Sequence, residues 1–184
     1  MNVLAFAASL SKGSTNRRLI ELVAGRLRAR GATVDTPEFR DFDIPLFDPD
    51  ICERDGLAPG AQEFAERITA ADGLVIASPE YLHAPSAALK NALEWISRLT
   101  PVPVSGKVAL LVSAASSPAG GVRGLIMLRE TLASLGMWVA PHVLAVGRAA
   151  QAFDDGRLKD PRLDAELDRM LDGFVKVATA LNRG

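Results

Sequence analysis

Short runs that are apolar at almost every position recur along this chain, at Asn2 to Ala7, Gly73 to Ala77, Lys107 to Ser113 and Met137 to Val143, and segments of helical period lie between them. A strand with no polar face must be covered on both sides. A parallel sheet held between two layers of helices meets that need. With a shorter run, Thr33 to Thr36, as a further strand, the pattern predicts a five-stranded parallel sheet in an α/β three-layer sandwich. The first helical segment, Thr15 to Arg30, carries Leu19, Leu22, Val23 and Leu27 on one face and stops at Gly31. Ala61 to Ala71, Ala87 to Leu99, Leu125 to Leu135 and Asp164 to Leu181 read the same way. The resulting order is βαβαβαβαβα. Right-handed crossovers leave few sheet orders for it, 2-1-3-4-5 among them. A chain of 184 residues, 48% of them hydrophobic, fills one core, so residues 1–184 are expected to form a single domain.

Two segments fall outside this scheme. Pro37 to Gly60, rich in Asp and Pro, is too long for a simple connection and is expected to cover a site, meet a partner subunit or move. Arg148 to Arg162 reads as a turn-rich link into the last helix. The 21 basic and 22 acidic residues give a net charge of -1, which supplies no footprint for nucleic acid and not the strong acidity of many small electron carriers. Cys52 is the single cysteine and cannot form an internal disulfide. The start Met1 to Phe6 has no positive flank, and no stretch reaches the length of a membrane span, so a cytoplasmic protein is expected.

In open α/β sheets, ligands bind beyond the carboxyl ends of the strands. Two polar loops fall there, Ala8 to Asn16 after the first strand and Ser78 to His83 after the third, and together they suggest a nucleotide site. In the first loop, Ser9, Ser11, Ser14, Thr15 and Asn16 offer hydroxyls, an amide and backbone N–H groups just before a helix, a setting that favours an anion. The alternative is that Ser14 or Thr15 only caps the helix. The loop matches neither the dinucleotide G-x-G-x-x-G fingerprint nor the Walker pattern.

Ser9 to Asn16, Ser78 to Tyr81 with Leu89 to Trp95, and Ser113 to Ser116 with Gly120-Gly121 together resemble the NADPH-dependent FMN reductase family of flavodoxin-like fold, which also includes quinone, azo-dye and chromate reductases. Ser9-Leu10-Ser11-Lys12-Gly13-Ser14-Thr15-Asn16 is similar to that family's phosphate loop. Ser78-Pro79-Glu80-Tyr81 followed by Leu89-Lys90-Asn91-Ala92-Leu93-Glu94-Trp95 is similar to its second site segment. Ser113 to Ser116 with Gly120-Gly121 is similar to the glycine-rich loop beside its flavin ring. The resemblance implies the 2-1-3-4-5 order, FMN as cofactor, NADPH or NADH as hydride donor, a small acceptor such as a flavin or quinone, and a homodimer or homotetramer.

The same resemblance implies that Ser9, Ser14 and Asn16 bind the FMN phosphate, with a backbone N–H from Thr15. It places Pro79, Glu80, Tyr81 and Leu82 at the ring and ribityl chain, with Ser116, Gly120 and Gly121 approaching from the neighbouring loop. No catalytic side chain or metal is required, because the hydride chemistry belongs to the cofactor. The chain departs from the family at Ala8 for Gly, Ser11 for Arg, Leu82 for Asn and Pro85-Ser86-Ala87 for x-P-G. Ser11 removes a charge-assisted phosphate contact unless Lys12 or Arg17 supplies it. A flavin-binding sensor or an electron carrier without NAD(P)H turnover is the alternative function. Trp95 and Trp138 are expected to fill the core or a subunit interface, His142, Lys90 and Asn91 read as structural, the last two beside Glu94 on one helix, and the surfaces expected to meet a partner subunit are Ala87 to Leu99 and the Pro37 to Gly60 segment.

Overall fold

In the computed structural model, which describes residues 1–182, the apolar runs become strands and the periodic segments helices. In chain order these are β1 (Asn2–Ala7), α1 (Thr15–Ala29), β2 (Thr33–Asp35), a 3-10 turn (Phe39–Phe42), α2 (Pro49–Asp55), α3 (Pro59–Ala70) and β3 (Gly73–Ala77). They continue with the hairpin β4 (Glu80–Tyr81) and β5 (Ala84–Pro85), α4 (Ala87–Ile96), β6 (Val108–Ala114), α5 (Val122–Ser134), β7 (Trp138–Val139), β8 (Leu144–Val146), the hairpin β9 (Phe153–Asp154) and β10 (Arg157–Leu158), and α6 (Pro161–Leu181).

The main sheet is parallel, with β2 beside β1, β1 beside β3 and β3 beside β6. This is the flavodoxin-like order, with one correction at the fifth position. Met137 to Val143 is not one strand. Trp138–Val139 pairs with the start of β6, and Leu144–Val146 pairs with its end. Pro141 lies between them and has no N–H to give to a ladder, so the edge is built from two short pieces.

Alternation along the strands sorts the core into two layers. Val3, Ala5 and Ala7 face α1 and α6, where they meet Leu19, Val23, Leu167 and Phe174. Leu4 and Phe6 face α3, α4 and α5, where they meet Phe64, Leu89 and Leu125. Gly31 adopts φ +82 just past α1, which is the left-handed conformation a helix stop needs.

The segments outside the simple alternation are more ordered than their composition suggests. The 3-10 turn buries Phe39 and Phe42 against Phe6 and Phe64, with Phe39 stacked on Phe6 at a centroid distance of 5.6 Å. The chain then runs along α4. Asn91 accepts from Phe47 N–H at 2.7 Å and donates to Pro45 O at 2.8 Å, and Trp95 Nε1–H donates to the same carbonyl at 2.8 Å. Asn91 therefore fastens this segment instead of serving Glu94, which pairs with Lys90. The two surfaces expected to meet a partner subunit are thus packed in part on each other. The link before α6 holds the β9–β10 hairpin, whose Phe153 and Leu158 are buried in the α1/α6 layer. No helix among the described residues is long and apolar enough to cross a membrane.

Candidate functional site

Three loops leave the carboxyl ends of β1, β3 and β6, and each is tied to the others by named bonds. The first and third are joined by Asn16, which is 3% exposed. Its Oδ1 accepts from Ala114 N–H at 2.9 Å, and its Nδ2 donates to Ala114 O at 3.1 Å. Thr15 Oγ1 donates to the same carbonyl at 2.8 Å. The start of α1 is thus pinned to the last residue of β6. The first and second loops are joined by Ser86, buried at the cap position of α4, whose Oγ donates to Ala8 O at 2.8 Å and accepts from Leu89 N–H at 3.2 Å. The second and third are joined by Glu80, whose Oε2 accepts from Gly124 N–H at 2.9 Å in the first turn of α5. That bond, with smaller help from His83 and the Arg123 N–H, holds the Glu80 carboxyl below its usual pKa.

The amino end of α1 remains open. Ser14 occupies the cap position with φ -66 and ψ 123, but its hydroxyl makes no capping bond, and the first turn carries no acid. Ser9 Oγ accepts from Ser11 N–H at 3.3 Å, which curls the loop over that end. An uncapped first turn, a positive helix end and three nearby serines are a donor set that fits a phosphate monoester. The reading in which Ser14 or Thr15 only caps the helix has no hydrogen bond behind it.

The expected site residues divide into groups. Ser9 and Ser14 are half-buried at the open helix end and Ser11 is exposed there, whereas Thr15 and Asn16 spend their side chains on β6. Pro79 is buried beneath the second loop, and Ser116 is exposed on the third. Tyr81 is 57% exposed at the mouth. Leu82 is 100% exposed at the tip of the β4–β5 hairpin. Leu82 and His83 have φ +50 and +65, the pair of left-handed residues a tight type I′ turn demands. Asn tolerates that conformation well, so the turn accounts for the residue preferred at position 82.

Gly120 and Gly121 are buried with φ +65 and +89. A Cβ on Gly120 would lie 2.6 Å from Ala145 C, and one on Gly121 would lie 2.3 Å from Ser113 Oγ. Their lack of side chains thus serves the seating of the third loop on β6 and β8. Ser113 Oγ is buried there without a hydrogen-bond partner among the described residues. Sequence reasoning noted Ser86 only as a departure from the family pattern and missed Gly124 and Gly147. The Ser before a helical run at 86 carried a capping signal. Gly124 and Gly147, each pressed against another loop's backbone, carried none.

A family model described as NADPH-dependent FMN reductase matches residues 1–151. The chain belongs to the NADPH-dependent FMN reductase family. Membership makes it an oxidoreductase with FMN as cofactor and a nicotinamide nucleotide as hydride donor. Among family relatives, an NAD(P)H-dependent FMN reductase of Pseudomonas aeruginosa is 34% identical over 165 residues, 88% of this chain and 86% of that protein. A quinone reductase of Escherichia coli is 34% identical over 135 residues, 73% of this chain and 71% of that protein. The fold is shared with FerB, a flavoenzyme NAD(P)H:(acceptor) oxidoreductase from Paracoccus denitrificans, at a TM-score of 0.82 and 21% identity over 97% of each chain.

Proposed function

We propose that residues 1–184 form one FMN-binding domain that passes two electrons from NAD(P)H to a small electrophilic acceptor, a quinone or a free flavin. One observation carries the reading: the loops after β1, β3 and β6 are locked together by Asn16, Ser86 and Glu80 around a helix end left open. FMN, when bound, supplies the hydride chemistry itself. In this reading the residues of the chain bind and orient. Ser9, Ser11 and Ser14 with the Thr15 and Asn16 N–H groups receive the phosphate. Tyr81 and Ser116 border the ring, and Pro79, Glu80, Gly120 and Gly121 hold the loops that present it. Leu82 acts through the turn. Donor and acceptor need only lie in turn against one flat face, so positioning does the catalytic work of the protein.

The reading extends to assembly as a homodimer or homotetramer. Exposed apolar side chains support it: Leu46 is 84% exposed, and Ile126 and Met127 on α5 are 54% and 51% exposed. The test is a titration of flavin-stripped protein with FMN by fluorescence quenching, followed by NADPH and NADH oxidation with a quinone or flavin present. Saturable one-to-one binding and turnover above the enzyme-free rate are expected. Failure to bind overturns the cofactor assignment, and binding without turnover moves the protein to the carrier or sensor class.

A further inference from the structure

The loop that meets the open end of α1 carries Ser at position 11, so the loop itself brings only Lys12 as a charge, and Lys12 is exposed with no ion-pair partner among the described residues. Arg17 lies in the first turn of the helix. It lines a cavity of about 110 Å³ together with Ser9, Ser11 and Ser14, and Glu38 stands in the same wall beyond β2. The guanidinium is ion-paired with Glu38 and lies 3.4 Å from Glu21. Its side chain is 35% exposed and those of Glu21 and Glu38 are 64% and 43% exposed, so solvent screens both pairings.

We propose that Arg17 is the cation of the phosphate subsite, shared between the Glu38 carboxylate and the phosphate monoester of the flavin, so that the protein selects FMN over unphosphorylated flavin and Glu38 limits how tightly. The inference rests on the reading that FMN occupies the three-loop site. A guanidinium offers parallel N–H donors that suit two phosphate oxygens, a geometry serine hydroxyls cannot supply. Glu38 opposes binding in two ways: it competes for the same donors, and its charge repels the phosphate. The two residues of one ion pair therefore act on affinity in opposite directions. A purely structural pair would act in one direction, because losing either member loosens the same contact.

The experiment measures dissociation constants for FMN and riboflavin with flavin-free wild-type protein and the variants Arg17→Gln, Glu38→Gln and Lys12→Gln. Arg17→Gln is expected to weaken FMN binding by about tenfold to a hundredfold, the scale of a charged hydrogen bond, and to leave riboflavin unchanged. Glu38→Gln is expected to tighten FMN by roughly twofold to fivefold, the scale of an exposed ion pair. Unfolding midpoints without flavin show whether each variant is folded, and the gain from Glu38→Gln cannot come from damage. The proposal is overturned if Arg17→Gln leaves the FMN/riboflavin ratio unchanged, if Glu38→Gln weakens FMN, or if Lys12→Gln carries the discrimination instead. Wild-type protein that binds neither flavin overturns the cofactor reading itself, an outcome distinct from the loss of Arg17's role alone.

Discussion

Replacing Asn16 with alanine should destabilise the protein even with no flavin present. The side chain is 3% exposed and makes two bonds to one residue, Ala114, which is itself 2% exposed. Ala114 O keeps the Thr15 Oγ1 bond at 2.8 Å, but Ala114 N–H loses its acceptor, and water has little access to it. An orphaned buried donor costs about 1–3 kcal/mol, and the space left by the amide adds to this. For a chain of this size, about 2 kcal/mol lowers the unfolding midpoint by roughly 4–8 °C. Asn16→Asp should be worse at neutral pH, because a carboxylate oxygen would replace the Nδ2 that now donates to Ala114 O at 3.1 Å. Acid should relieve part of that defect by restoring a donor. Thr15→Val is the control: it removes one of two donors from a carbonyl that remains bonded. Urea denaturation of cofactor-free protein reads all three. If Asn16→Ala lies within about 0.5 kcal/mol of wild type, the scale of an ordinary surface substitution, the brace between α1 and β6 is refuted and Asn16 serves only the ligand.

Two further outcomes follow from the hairpin and the helix it caps. Leu82→Asn should stabilise the protein by about 0.5–1 kcal/mol, because Asn accepts the left-handed conformation now imposed on an exposed Leu, while FMN affinity should stay within about twofold. Thermal unfolding and the same flavin titration check both halves. Glu80 titrates below its ordinary value of 4.5 in the fold, chiefly through the Gly124 N–H. Its contribution is thus complete above that ordinary value and is lost as pH falls through the lower folded value. Glu80→Gln should flatten this part of the acid dependence of the urea midpoint, and an unchanged slope between neutral and acidic pH would remove the capping role.

The residues of the phosphate loop were legible because they are local: a strand end, a run of small polar residues and a helix start are neighbours in sequence. Their division of labour was not. Asn16 and Ser14 look alike in the chain, yet one is spent on Ala114, 98 residues away, and the other is left open. Glu80 and Gly124 are 44 residues apart, so no local spacing marks the carboxylate as a cap for α5. The left-handed conformation of Leu82 likewise follows from the pairing of β4 with β5, which the residue at that position does not announce.

Periodicity by itself determined the parallel sheet, its helical cover and the edge where the loops converge, because burial on both faces leaves a mark on every residue of a strand. Two decisions belonged to the tertiary structure. The split of the edge strand around Pro141 depends on where β6 offers partners, and the roles of Asn16 and Glu80 depend on which distant backbone atoms lie within hydrogen-bond reach. Neither is written in local sequence, since hydrogen bonds across a fold join residues whose nearness only folding creates.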